Sequence, residues 1–152
     1  MSKKYSKQIQ TVLEILQNEI DGDVSAAMKK VTKDYTMTWV YQTPHKKELF
    51  PSDTMHNLDS TDEIYEIKGR QYDIKNIAEG DNVVMVEMIE SYPDPDTKKV
   101  YRTPLVIVLE MMRGKIRTGR HYCDPNLSYL NLKKREVDKA YKKSKGSELT
   151  LK

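Results

Sequence analysis

Val83–Pro125 reads VVMVEMIESYPDPDTKKVYRTPLVIVLEMMRGKIRTGRHYCDP and contains three runs that are rich in β-branched and aromatic residues. The Pro-Asp-Pro-Asp sequence at 93–96 and the Arg113-Gly114 pair separate these runs, and both are turn sequences. A fourth run, Gln71–Ala78, precedes them across the polar residues 79–82. The pattern predicts a four-stranded antiparallel meander, and the rest of the chain must either cover this sheet or extend from it.

Side chains alternate along a strand, so the lengths of the turns predict which residues share a face. Two-residue loops at 80–81 and 113–114, with a four-residue loop at 94–97, give one mixed face and one more apolar face. The mixed face is predicted to carry Tyr72, Ile74, Asn76, Met85, Glu87, Ile89, Val106, Val108, His121 and Cys123. The apolar face is predicted to carry Ile77, Val84, Val86, Met88, Leu105, Ile107, Leu109, Met111, Ile116 and Tyr122. An error of one residue in any loop would exchange the faces of that strand.

The N-terminal part of the chain predicts helices that cover one of these faces. Ser6–Ile20 has apolar residues at spacings of three and four, which is typical of an amphipathic helix. A second helix is predicted over Ser25–Lys33 and a strand over Tyr35–Tyr41. Helices can cover only one face, so the apolar face, which includes Ile107, is predicted to meet a second copy of the chain in a homodimer.

Length and composition predict a soluble single-domain protein. The chain has 152 residues, a net charge of +3 and one cysteine, which excludes an intrachain disulfide. No apolar run approaches the length of a membrane span, so a cytoplasmic location without membrane contact is expected. His45–Asp62 is polar and irregular, and a lid, a binding loop or a mobile segment are alternative interpretations.

The C-terminal part differs in charge from the rest of the chain. Lys133–Lys145 has seven basic and two acidic residues, or +5, which leaves the remaining chain near −2. We therefore divide the chain into a main domain over residues 1–130 and a basic, helical or disordered tail over residues 131–152. Such a charge run is usually a solvated helix, and nucleic-acid binding is the less favoured interpretation.

The order of elements resembles that of the SnoaL-like (polyketide-cyclase-like) family in the nuclear-transport-factor-2-like superfamily. The resemblance covers roughly Ser6–Tyr129 and depends on the segments Ile77–Val84, Tyr101–Pro104, Arg113–Ile116 and Tyr122–Pro125. It implies an α+β fold with a cone-like curved antiparallel sheet wrapped around N-terminal helices, enclosing a pocket, in a protein that is usually a homodimer. Family activities include aldol-type cyclisation, double-bond isomerisation and epoxide hydrolysis, and some members are not enzymes, so the fold does not name a reaction.

The chain departs from the family pattern at two positions that matter for chemistry. Many members end the first strand in a Trp-His-Asp-Pro-like run whose Asp can act as a general base, whereas this chain reads Tyr41-Gln42-Thr43-Pro44. Many also carry an Asp on the last strand where this chain has His121. A mechanism therefore cannot be transferred whole from a relative.

The predicted site lies on the mixed face, with Glu87 and His121 as candidate catalytic residues for acid–base chemistry on a small apolar or carbonyl-containing ligand. A carboxylate next to a histidine would raise the histidine pKa, whereas burial would lower it. Predicted ligand-binding residues are Tyr72, Asn76, Trp39, Tyr41, Met85, Val106 and Cys123. No cofactor or metal is expected, because one His and one Glu are too few for a metal site. The alternative interpretation is a ligand-binding or dimerisation module without catalysis, in which Glu87 and His121 only satisfy one another.

Overall fold

The computed structural model describes residues 4–40, 66–124, 126–127 and 132–152. The predicted segment His45–Asp62 and the predicted ligand-binding residue Tyr41 lie outside these described ranges. The helices are α1 (Lys7–Asp21), α2 (Val24–Met28) and α3 (Lys134–Asp138), with a 3₁₀ turn at Lys139–Tyr141. The strands are β1 (Val31–Trp39), β2 (Gln71–Gly80), β3 (Val83–Pro93), β4 (Val100–Met112), β5 (Lys115–Cys123) and β6 (Leu149–Leu151).

Helix α1 confirms the helix predicted from the apolar spacing. Ser6 caps its first turn, because the Ser6 side chain accepts a hydrogen bond of 3.2 Å from the Ile9 amide. Gly22 ends it in the left-handed conformation at a φ of 71°, which glycine adopts without steric cost. Its buried residues, Ile9, Val12, Ile15 and Leu16, form the stripe that packs into the core.

Helix α2 is shorter than predicted and ends at Met28 rather than Lys33. The chain enters β1 at Val31, which pairs with Ile116 of β5, and the Ile116 amide donates 2.9 Å to the Lys30 carbonyl. Pairing with a neighbouring strand therefore outweighs the helical preference of residues 29–33.

The strands form one six-stranded sheet in the order β1-β5-β4-β3-β2-β6. The pairing of β1 with β5 is parallel and the other pairs are antiparallel, so the sheet is mostly antiparallel, curved and unclosed. The meander of β2 to β5 is confirmed, and the molecule has the predicted α+β architecture.

A β-bulge in the β4–β5 hairpin makes the predicted faces wrong for β5. The 113–114 turn has the predicted two-residue length, and both of its φ angles are positive, at 51° and 77°, as a type I′ turn requires. Beyond the turn a register shift at Glu110 adds one residue to β5. As a result, Ile107 rather than Val106 lies opposite His121. His121 and Cys123 therefore occupy the face opposite to the one predicted.

A second bulge divides the predicted mixed face within β2. Asn76 lies opposite Glu87, but Ile74 lies opposite Met88, because the register shifts between Ile74 and Asn76. Tyr72 and Ile74 therefore lie on the opposite face from Asn76 and Glu87, and the prediction that these four residues share one face is wrong.

The two faces differ in what covers them, and we name them accordingly. The helix side packs against α1 and forms the core with Tyr35, Tyr72, Ile74, Val84, Val86, Met88, Leu105, Ile107, Leu109, Met111 and Ile116. The other face, the open face, carries the large exposed hydrophobic residues Met85, Met112 and Tyr122. The apolar face that was predicted to form a dimer contact is therefore mostly the core of one molecule.

The described residues after 131 pack on the sheet rather than extending from it. Helix α3 lies on the open face near β4, and the Arg102 guanidinium donates 3.0 Å to the Leu132 carbonyl. Strand β6 then pairs antiparallel with β2, with Tyr72 opposite Leu151. The boundary at residue 130 stays a prediction. No helix in the described part of the chain is long and apolar enough to cross a membrane.

Candidate functional site

Polar side chains converge on the helix side, where the rest of the surface is apolar. Tyr72 of β2 donates a hydrogen bond of 2.5 Å from its hydroxyl to Glu19 Oε2 of α1. Burial raises the pKa of the Glu19 carboxyl, while the Tyr72 hydrogen bond and the charge of Arg70 act against that rise. The carboxyl group therefore keeps its proton to a higher pH than an exposed glutamate does, which is a property of general acids.

Tyr35 lies in the same interior region, on β1. Its side chain is buried, and burial together with the nearby charge of Glu19 raises the pKa of its hydroxyl. The hydroxyl group therefore stays protonated and can only donate or accept hydrogen bonds at physiological pH.

Arg70 supplies a positive charge at this site. Its side chain is only 6% exposed and forms an ion pair with Glu90 of β3. The guanidinium carbon also lies 5.2 Å from the centre of the Tyr92 ring, a cation–π contact. The ion pair and the ring fix the guanidinium in place, so its field acts on nearby groups from a defined position.

His121 of β5 lies beside Trp39 of β1 on the helix side. The two residues are directly paired in register, and their ring centres are 6.5 Å apart. Burial lowers the pKa of the His121 imidazole to about 4, and the charge of Arg70 also lowers it. Hydrogen bonding to the backbone of His121 itself acts in the opposite direction and raises the pKa. His121 Nδ1 is buried without a hydrogen-bond partner among the described residues. The imidazole is therefore neutral near pH 7, with one ring nitrogen available to a ligand.

Arg70 acts electrostatically on both Glu19 and His121. Arg70 lowers the pKa of both groups. We name the set of Glu19, Tyr35, Arg70, Tyr72, Glu90 and His121 the helix-side polar cluster. It combines a carboxyl with a raised pKa and an imidazole with a lowered pKa, and the charge of Arg70 acts on both.

The predicted catalytic pair is not brought together. Glu87 lies on the open face, where its Oε2 accepts 2.6 Å from Asn76 Nδ2, whereas His121 lies on the helix side. The predicted contact between Glu87 and His121 is therefore wrong, and of the two opposing effects on the His121 pKa it is burial that prevails. Met85 and Val106 also lie on the open face.

Three of the predicted ligand-binding residues lie on the helix side: Tyr72, Trp39 and Cys123. Their role in binding stays a prediction. Burial raises the pKa of the Cys123 thiol to about 11, with a further contribution from Asp124. A thiol with such a pKa is a poor nucleophile near neutral pH. No three His, Cys, Asp or Glu side chains of the described residues converge as a metal site would require.

Sequence reasoning missed Glu19, Arg70 and Glu90. Glu19 lies between Leu16 and Ile20 in the apolar stripe of α1. A charged residue at such a position indicates a polar group that faces the interior, and this signal could have identified Glu19. Arg70 precedes β2 and shares a face with Tyr72 by simple alternation, but only the β2 bulge shows that this face is the helix side.

The sequence matches no protein-family model and no curated protein. Solved structures match its fold. IdmH from Streptomyces antibioticus, assigned as a polyketide cyclase, is 10% identical with a TM-score of 0.67, covering 83% of this chain and 98% of IdmH. A protein from Jannaschia sp. CCS1, assigned as a SnoaL-like polyketide cyclase, is 12% identical with a TM-score of 0.61, covering 81% and 92% of the two chains.

An NTF2-like protein of unknown function from Cytophaga hutchinsonii also matches, with 14% identity and a TM-score of 0.58, covering 83% of this chain and 96% of that protein. These similarities confirm the predicted fold: the chain has the NTF2-like cone fold that SnoaL-like proteins share. Because the identities are low, they show the fold and leave the reaction open.

Proposed function

We propose that the protein binds a small, mostly apolar molecule with a carbonyl group at the helix-side polar cluster, and transfers protons on it in the manner of an isomerase or cyclase. The observation that carries the proposal is the helix-side polar cluster, in which Glu19 and His121 have pKa shifts in opposite directions. In solution a carboxyl group is more acidic than an imidazolium, so the proton moves to the imidazole and an ion pair forms. Here the pKa of Glu19 is raised and that of His121 is lowered, which makes the ionised forms of both groups less favourable.

The chemistry follows from the protonation states that burial favours. Glu19, held by Tyr72, would act as a general acid that gives its proton to the carbonyl oxygen of the ligand as the enol forms and takes it back when the carbonyl is restored. The neutral His121 would accept a proton from the carbon next to that carbonyl and return it to another position. Arg70 would stabilise the developing enolate through its charge. The polyketide cyclases that share this fold support a ligand of this class without naming one.

The alternative is a ligand-binding module without catalysis. The contacts between Tyr72 and Glu19 and between Arg70 and Glu90 favour it, because these polar groups already satisfy one another in the absence of a ligand. Binding would then use the apolar surface and the free nitrogen of His121 only.

Trp39 makes binding measurable, since it is the only tryptophan of the chain and lies beside His121. We would titrate the protein with acetylnaphthalene, a neutral aromatic ketone, and follow Trp39 fluorescence. Proton NMR in deuterium oxide would then measure exchange at the methyl group next to its carbonyl. We expect binding, and exchange faster than in buffer.

Matched variants identify the groups responsible. Glu19→Gln and His121→Gln should each lower the exchange rate by roughly 100-fold, the size of a general acid or base contribution. Glu87→Gln is the control, because it makes the same change on the open face and should leave exchange unaltered. Binding without exchange would support the non-catalytic alternative, and no response of Trp39 to this or related ketones would contradict the proposal.

A further inference from the structure

The described residues after Gly146 connect helix α1 to strand β2 at several points. Ser147 Oγ accepts 3.1 Å from Lys75 Nζ, and Glu148 Oε1 accepts 3.1 Å from the Tyr5 hydroxyl just before α1. The Glu148 amide also donates 2.7 Å to the Ile74 carbonyl. We name residues 147–152 the C-terminal clasp.

The clasp reaches the other end of α1 as well. Gln17 Nε2, in the last turns of the helix, donates 3.1 Å to the Lys152 carbonyl. Tyr5 and Gln17 are separated by about 18 Å along the helix at 1.5 Å per residue. The clasp therefore holds the helix near both ends, and the apolar side chains of Leu149 and Leu151 between these contacts pack against the core.

These contacts form a closed series of neighbours that includes Glu19 and Tyr72 of the polar cluster. Leu151 lies directly opposite Tyr72 in the sheet, and Tyr72 donates its hydroxyl hydrogen to Glu19. Glu19 lies two residues after Gln17, which binds the residue that follows Leu151. The position of the carboxyl relative to the tyrosine hydroxyl is therefore set by two routes, the direct hydrogen bond and the clasp.

We propose that the C-terminal clasp is a positioning element that fixes Glu19 of α1 against Tyr72 of β2. Its residues act through the placement of α1 and β2. The role of the clasp in catalysis rests on the proposed function, whereas its effect on Glu19 can be measured in the protein without any ligand.

The test uses the pKa of Glu19, measured by carbon-13 NMR titration of its carboxyl signal and assigned with Glu19→Gln. The double variant Gln17→Leu with Glu148→Ala removes the contacts at both ends of the helix. We expect water to reach the carboxyl, so that its pKa falls toward the ordinary value of 4.5. Hydrogen exchange of the amides in the last turn of α1 should also become several-fold faster.

Gln10→Leu is the matched control. Gln10 lies on the same helix and also donates to a backbone carbonyl, that of Tyr5, at 2.8 Å, but it does not contact the clasp. This variant should leave the Glu19 pKa unaltered even if it lowers stability.

Deleting residues 147–152 should produce a larger fall in the Glu19 pKa, and the point variants decide the question if the truncated chain does not fold. A Glu19 pKa that stays at the parental value in the double variant would overturn the proposal. If the pKa falls as expected but no ketone binds to the parent protein, the clasp stands and the proposed function fails. If the parent protein catalyses exchange on the ketone but the Glu19 pKa does not change in the double variant, the proposed function stands and the clasp proposal fails.

Discussion

The helix side and the open face of the sheet carry similar polar residues with different physical properties. On the helix side, burial shifts the pKa values of Glu19 and His121 in opposite directions. On the open face, the Glu87 carboxylate accepts a short hydrogen bond from Asn76 in an exposed position. The comparison teaches that burial, rather than residue type, produces the opposite pKa shifts of Glu19 and His121.

Neighbouring residues of β3 provide the strongest test of this difference. Val86 is 0% exposed on the helix side and Met85 is 44% exposed on the open face. Val86→Asp should lower the free energy of unfolding by more than about 4 kcal/mol, because it buries an unpaired carboxylate. Met85→Asp should lower it by less than about 1 kcal/mol. Urea unfolding followed by circular dichroism measures both, and equal losses would show that the two faces are covered alike.

The same comparison shows how much the sequence could predict. Apolar spacing and turn residues predicted α1 and the four-stranded meander, because these signals are local. The extra residues of the two β-bulges are Lys75 and Arg117. Bulges depend on packing between strands, and neither residue type predicts one from the sequence. Each bulge exchanged the faces of one part of a strand, and the bulge in β5 is the reason why His121 was predicted to lie beside Glu87. The contact of Glu19 with Tyr72 joins residues far apart in the chain and needed the three-dimensional structure.

A pH dependence of stability should come from the helix side through His121. Its pKa is about 4 in the folded protein and near 6.5 when unfolded, so the unfolded chain binds the proton first as pH falls. The stabilising contribution is fully present above pH 6.5 and is lost as pH falls through about 4. At 1.36 kcal/mol per pKa unit the loss is on the order of 3 kcal/mol.

The His121→Gln variant isolates this contribution. Glu19, whose pKa is raised, acts in the opposite sense and stabilises the fold most below pH 4.5, but it is present in both proteins and cancels in the comparison. Unfolding free energies measured between pH 4 and 7 should therefore fall more steeply with acid in the parent than in the variant. Parallel curves would show that His121 is not buried as a neutral group. Direct NMR titration of the imidazole gives the pKa independently.

The smallest expected effect concerns the open face, which we expect to be the contact surface of a homodimer. Met85 and Tyr122 are 44% and 41% exposed there, and Val106 and Val108 lie between them in the sheet. Exposed apolar residues grouped on one surface of a monomer usually mark an interaction site. The earlier candidate Ile107 cannot test this, because Ile107 is 4% exposed in the core and its replacement by Lys would unfold the molecule.

The informative variant is therefore Met85→Asp combined with Tyr122→Asp. It should weaken association by at least about tenfold, or roughly 1.4 kcal/mol, while the circular dichroism spectrum of the folded chain is kept. Ser25→Asp on α2 is the control, since it adds a negative charge at an exposed position away from the open face. Sedimentation equilibrium at tens of micromolar measures the mass of all three proteins.

A monomeric parent would show that the open face does not mediate self-association, and a dimeric double variant would assign the contact to another surface. Either outcome would leave the helix-side polar cluster intact, because no residue of that cluster lies on the open face.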